Sequence, residues 1–388
     1  WFWLNHALLF LWLIDALRRG EETALFRAVL GCGALIAVGG LASFVLGNPR
    51  PAGLLFFINL AGSFAGVIAV LAFGWSIGAV DMLETRVGRL QKTIRRHYIA
   101  HGLYLALALV SAAFVIVNQS RGGLLALIAG LLALAALEFH LARRAVLLVL
   151  PLAILFGLFS AGRLSGDLHR LDIWRSALVM FGAHPLSGVG VGLFGQGYLD
   201  TRGLPDPADY IAGAHNLPLH IAAELGVIGV MAVSVLAASF TARLPERRTL
   251  RQNVALAVLI GAGTNALFDV QLASAYTVVI LLCAAYLVYP VWSSQPRLLP
   301  WLRRGAFAVV LIAALGLAWA DAAQLAYQRG LSGDLTAAQL AYTLDPLELY
   351  HLQVQELTNP ASVDMLMNWQ GVNNRTHYAL SNYARYWR

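Results

Sequence analysis

Apolar residues follow one another along this chain in long blocks, not in the three-to-four-residue rhythm of a half-buried soluble helix. Blocks fall near 1–17, 26–46, 52–80, 99–117, 122–141, 145–161, 215–240, 253–270, 274–293 and 305–322. Crossing a bilayer takes about 20 helical residues, so the pattern predicts about ten transmembrane helices. The first block is short and carries Asn5, His6 and Asp15, so the chain is expected to begin inside a longer native protein. After residue 323 the character changes. Segments 335–344 and 347–357, separated by Asp345-Pro346 and followed by Pro360, read as a helical hairpin that resembles one tetratricopeptide-like unit. The expected division is a membrane domain over 1–322 and a soluble helical tail over 323–388.

Composition agrees: 59% hydrophobic residues, 12% charged residues and a mean hydropathy of +0.69 exclude a water-soluble globule of this length. Charge orients the helices, because cytoplasmic loops collect Lys and Arg. Basic residues gather at 18–27, 86–96, 143–144, 243–251 and 297–304, in alternate loops or at their edges. One topology results, with segments near 47–51, 118–121, 162–214 and 271–273, and everything beyond 323, on the outer side. The net charge of +7 is then mostly this bias, and no basic face with interleaved aromatics suggests a nucleic-acid partner. Cys32 and Cys283 both lie in apolar blocks and read as packing residues, with neither a disulfide nor a metal site implied.

Arginines on the outer side are not explained by that bias. Arg121 lies in Asn118-Gln119-Ser120-Arg121-Gly122-Gly123, a turn too short to leave the membrane surface. Arg170 and Arg175 bracket a segment in which Leu171, Trp174, Leu178 and Phe181 recur at helical spacing, as in an amphipathic helix lying on a bilayer. Each arginine alone is equally well read as a headgroup anchor; their convergence on one face with His215 favours a site. His215 precedes Asn216, a helix cap, and Pro218, a first-turn residue, and is the candidate general base. The plainer reading is an interfacial histidine held by hydrogen bonds. Glu224 lies nine residues on, roughly 13 Å along a helix, with His220 one turn before it on the same face. An ionisable pair at that depth is either functional or a structural tie. The run Gly190-Val191-Gly192-Leu193-Phe194-Gly195 spells a dinucleotide fingerprint, but no strand precedes it, so its glycines instead allow a sharp turn or a close approach.

Taken together the residues resemble the O-antigen ligases, in a superfamily with O-antigen polymerases and protein O-oligosaccharyltransferases. The resemblance is carried by His215-Asn216 with Gly226-Val227-Ile228-Gly229 after nine residues, by Ser120-Arg121-Gly122, by Arg170 with Trp174, and by His184-Pro185-Leu186-Ser187-Gly188-Val189-Gly190. It is clearest from about 118 to 275, and Asn265-Ala266-Leu267-Phe268-Asp269 continues it, with Asn265 where some members have histidine. The resemblance implies an all-α polytopic membrane protein of about 10–12 transmembrane helices, GT-C-like, with a large periplasmic loop over 162–214. It implies inverting transfer of a glycan from undecaprenyl pyrophosphate to a hydroxyl of lipid A-core, on the periplasmic face of the bacterial inner membrane. His215 would be the base. Arg121 and Arg170 would bind the pyrophosphate, Arg175 and Asn216 would contribute to the substrate site, and Asp269 would orient a partner. Without a carboxylate cluster to cage an ion, transfer is expected to need neither metal nor other cofactor. A polymerase or protein transferase would share the donor site, and ten spans alone would also suit a transporter.

Overall fold

The computed structural model describes residues 2–49, 51–52, 58–84, 91–138, 164–202, 211, 213–269 and 275–290, with isolated positions between 301 and 343. The spans expected at 145–161 and 305–322, the boundary at 322 and the tail hairpin lie outside the described residues, those isolated positions apart. The described residues form an all-α polytopic membrane protein, with no strand among them. Its helices are α1 (Phe2–Arg18), α2 (Glu22–Val45), α3 (Ile58–Glu84), α4 (Gln91–Asn118) and α5 (Arg121–Glu138), then α6 (Leu164–Ala183), α7 (Phe194–Arg202), α8 (Leu217–Thr241), α9 (Leu250–Ala266) and α10 (Ala275–Val288). Five of these are long and apolar enough to cross a membrane: α2, α8, the stretches Ile58–Gly78 of α3 and His97–Asn118 of α4, and α5. α1 and α9, expected as spans, have 17 described residues each and α10 has 14, and the starts of α1 and α10 abut residues outside the described set.

α3 is the axis of the bundle. Of its apolar window 83% is buried, against 28% for α2 and 22% for α4 and α8, which turn apolar surface outwards as lipid-facing helices do. Lipid tails are as apolar as leucine, so helices in a bilayer associate by close approach at small residues. A Cβ at Gly123 would strike the backbone of Gly62, one at Gly66 the carbonyl of Gly123, and one at Gly261 the carbonyl of Ala126. α3, α5 and α9 thus meet almost backbone to backbone. At one end the Asn118 side chain donates to the carbonyls of Pro51 (2.7 Å) and Ile58 (3.0 Å). Ser120 caps α5 through Gly123 N–H at 3.2 Å and donates to the Asn59 carbonyl. The expected short turn before Arg121 is only Gln119 and Ser120. At the opposite end Thr249 closes a capping box, Asn253 donates to Glu138 (2.9 Å), and Arg251 pairs with Glu22 (3.2 Å) over the Trp75 ring.

A smaller core of Ile173, Ala177, Met180, Phe194, Tyr198, Ala214 and Ala223 joins α6, α7 and the first part of α8. The stripe that α6 buries is therefore Ile173, Ala177 and Met180, offset from the spacing seen in the sequence. Leu171 and Leu178 of that sequence stripe remain exposed, whereas Trp174 is partly buried and hydrogen-bonded.

α8 is not one continuous helix. Gly226 takes φ +63° and ψ −159°, breaking the ladder that would join Val227 N–H to the Ala223 carbonyl and Ile228 N–H to that of Glu224. The loop after α6 supplies the four missing partners. Val227 N–H donates to Pro185 (2.8 Å) and Ile228 N–H to Leu186 (3.3 Å), while Val189 N–H reaches the Ala223 carbonyl (2.9 Å) and Gly190 N–H that of Glu224 (3.0 Å). The two backbones lie too close for side chains: a Cβ at Gly188 would meet the Glu224 carbonyl carbon, and one at Gly226 that of Leu186.

Gly226→Ala would combine a left-handed backbone with a backbone collision, and should cost about 2 kcal/mol or more, seen as a lower melting temperature in detergent. Gly263→Ala, where nothing lies within 4 Å, should be neutral or mildly stabilising in the same assay.

Candidate active site

The end of the bundle where α8 begins gathers the polar groups singled out in the sequence. Asn216 caps α8 as expected, its Oδ1 accepting from Leu219 N–H at 2.9 Å, with Pro218 in the first turn. Its Nδ2 donates across to the carbonyl of Leu267 at 3.0 Å, which fastens the start of α8 to the end of α9. Just past that carbonyl, Asp269 is held by its own N–H on the Asn265 carbonyl (3.0 Å), and its side chain is 10% exposed. His215 Nδ1 lies 3.2 Å from Asp269 Oδ1, and the histidine side chain is 39% exposed. A carboxylate can only accept, so Nδ1 donates towards it, and in the neutral ring Nε2 is the nitrogen left with a lone pair.

The backbone at His215 is itself set for this. Its φ of +48° is left-handed, a conformation costing a residue with a side chain about 1–2 kcal/mol. It persists because both neighbours are tied: the Trp174 indole donates to the Ala214 carbonyl at 3.0 Å, and Asn216 is bonded at both ends of its amide. Trp174 is thus a structural member of the site, and its bond crosses 40 residues of chain that no local pattern connects.

The arginines arrive on two other helices. Arg121 opens α5, and its neighbour Gly122 packs against the Asn265 side chain, one turn before Asp269, so Arg121 stands at the same end as His215. Asn265 is buried and donates to the Tyr276 hydroxyl at 3.2 Å, tying α9 to α10. Arg170 is one helical turn before Trp174 on α6 and Arg175 directly after it; Arg170 is partly buried and Arg175 exposed. Hydrogen bonds thus draw His215, Asn216 and Asp269 together, and helix placement brings the arginine-bearing segments beside them. Among the described residues no group of three or more His, Cys, Asp or Glu could hold a metal ion.

Glu224 and the glycine run share one structural role. Glu224 Oε2 accepts from Gly192 N–H at 3.0 Å and Oε1 from Phe194 N–H at 3.1 Å, and His220 Nε2 lies 3.6 Å away. With Gly190 at φ +111° and Gly192 at φ +73°, the loop curls its amides round this carboxylate. α7 begins without a capping side chain of its own, and Glu224 supplies the cap from 30 residues on.

Fold and site define a polytopic helical membrane protein with a carboxylate-bound histidine at one end of its bundle. Residues 106–234 match the family described as O-antigen ligase, which supports membership of the O-antigen ligase/polymerase superfamily, whose members are glycosyltransferase-like enzymes. The matched stretch runs from within α4 to within α8 and contains Arg121, Arg170, Arg175, His215 and Asn216, while Asp269 lies beyond it. No curated protein matches the chain significantly.

If Asp269 fixes the ring, the His215 signals in nitrogen NMR of histidine-labelled protein should show the tautomer protonated at Nδ1. Asp269→Ala should abolish that preference; an unchanged tautomer would remove Asp269 from the role.

Proposed function

We propose that this chain is an O-antigen ligase, transferring a glycan from undecaprenyl pyrophosphate to a hydroxyl of lipid A-core. The observation that carries the reading is His215, held through Nδ1 by Asp269, with Nε2 left as a base at a partly exposed helix start. The acceptor hydroxyl oxygen attacks the anomeric carbon and the bond from that carbon to the pyrophosphate oxygen breaks. The pyrophosphate departs with the electron pair, and the hydroxyl proton passes to His215 Nε2. A single displacement of this kind inverts the anomeric centre. Arg121 and Arg170 would grip the pyrophosphate, because planar guanidinium matches its oxygens in pairs and answers the charge that grows on departure. Arg175 is a further donor contact and Asn216 holds the base in place. With arginines serving that charge, the transfer would proceed without a metal ion.

The charge pattern supports a periplasmic site in the inner membrane. Arg243, Arg247 and Arg248 cluster beyond the far end of α8 from His215, where the orientation rule places the cytoplasm. A transporter would use a broken helix to present free backbone groups to its cargo. At Gly226 the four groups freed by the break are already bonded to the 185–190 loop, which favours transfer chemistry over transport.

The test offers purified protein an undecaprenyl-pyrophosphate-linked glycan with lipid A-core, free lipid-linked glycan and a periplasmic protein in competition. Product on lipid A-core supports the ligase. Product on free glycan would make the chain a polymerase, product on protein an oligosaccharyltransferase, and the absence of any product would overturn the reading. His215→Ala should reduce transfer at least a hundredfold with donor binding largely retained. Arg121→Lys and Arg170→Lys should each lose roughly tenfold or more, since a point charge cannot copy the fork. Activity should persist in excess chelator, whereas rescue only by added divalent cation would overturn the metal-free mechanism.

A further inference from the structure

The buried carboxylate of Glu224 takes no part in the proposed chemistry. It is 7% exposed, lies in the first part of α8, and accepts two backbone hydrogen bonds from a different segment of chain. A carboxylate so placed is strongly favoured while both amides face it and costly to leave without them. Its partners open α7 and end the loop that fills the break at Gly226, so one side chain fixes α7, the loop and α8 relative to one another. The loop follows α6 directly, and α6 carries Arg170, Arg175 and the Trp174 that holds Ala214 beside His215.

We infer that Glu224 is a positioning residue for transfer, acting through the amides of Gly192 and Phe194 to hold the arginine-bearing α6 in register with His215. This rests on the ligase-type reading of the site. A charged acceptor is needed at both oxygens: an amide accepts through its oxygen alone and turns an N–H towards the second donor. Misplacement of reacting groups by about 1 Å can cost a hundredfold in rate, so a small rotation of α6 suffices.

The test uses the full chain in lipid nanodiscs and begins with the wild type. Failure of the wild type to transfer would overturn the ligase reading without bearing on Glu224's structural tie. With an active wild type, Glu224→Gln should lower kcat per folded molecule roughly ten- to a hundredfold, at a temperature well below its own reduced melting temperature and with donor KM changed little. In a Cys32→Ser background, spin labels at the exposed positions Asp200 on α7 and Met231 on α8 should give a sharp distance distribution that broadens with Glu224→Gln. An unchanged kcat per folded molecule, or an unchanged distribution, would overturn the inference and leave Glu224 a fold-stabilising cap. Should Glu224→Gln not accumulate, Glu224→Asp, which keeps the charge on a shorter stem, is read by the same two measurements. It should show the same loss in milder form, and native kcat with a native distribution would equally overturn the inference.

Discussion

The exchange of four backbone hydrogen bonds between the 185–190 loop and the break in α8 is the constraint on which the rest of this arrangement depends. In a lipid environment each unpaired backbone group costs several kcal/mol, so a membrane helix breaks only where other protein satisfies what is freed. Here the two orphaned carbonyls and two orphaned amides meet their complements in a neighbouring loop. That fixes the loop's depth and direction, and with it the end of α6 and the start of α7. Glycine at 188 and 226 is the condition for the approach, because a methyl group at either position would enter the opposing backbone.

A second constraint sets the other half of the site. The contacts of Gly62, Gly66 and Gly123 between α3 and α5, and of Gly261 on Ala126, leave these helices little freedom to slide. Asn265 on Gly122 carries the register from α5 to α9, and Asp269 follows one turn later. His215 is therefore held between two packed cores, one built on α3 and the other the smaller core of α6, α7 and α8, with the bonds of Asn216 and Asp269 crossing between them.

Much of this was legible in the sequence where the signal was local. Block length gave the helices, Asn216 and Pro218 the start of α8, and the residues around Ser120 a tight turn, because each depends on a few adjacent positions. The break at Gly226 was not legible: a lone glycine in an apolar run is compatible with an unbroken helix, and its partner loop lies some 40 residues away. The glycine run at 190–195 curls round the Glu224 side chain, an occupant that could not be read from spacing. On α6 the amphipathic pattern was real, but it chose Leu171 and Leu178, which stay exposed, over Ile173 and Met180. A helix with apolar residues on two sides does not announce which side meets protein.

The break in α8 also bears on the thickness of the surrounding membrane. Beyond Gly226, residues 227–241 rise only about 22 Å, against about 30 Å of bilayer hydrocarbon. A short apolar rod draws the leaflets together around it or needs neighbouring apolar surface to complete its length. Leu186 and Val191, exposed on the loop that fills the break, and Ile228 at the top of the rod provide such a collar. That collar carries apolar surface past the break, so the hydrocarbon beside α8 keeps its thickness although the rod itself is short.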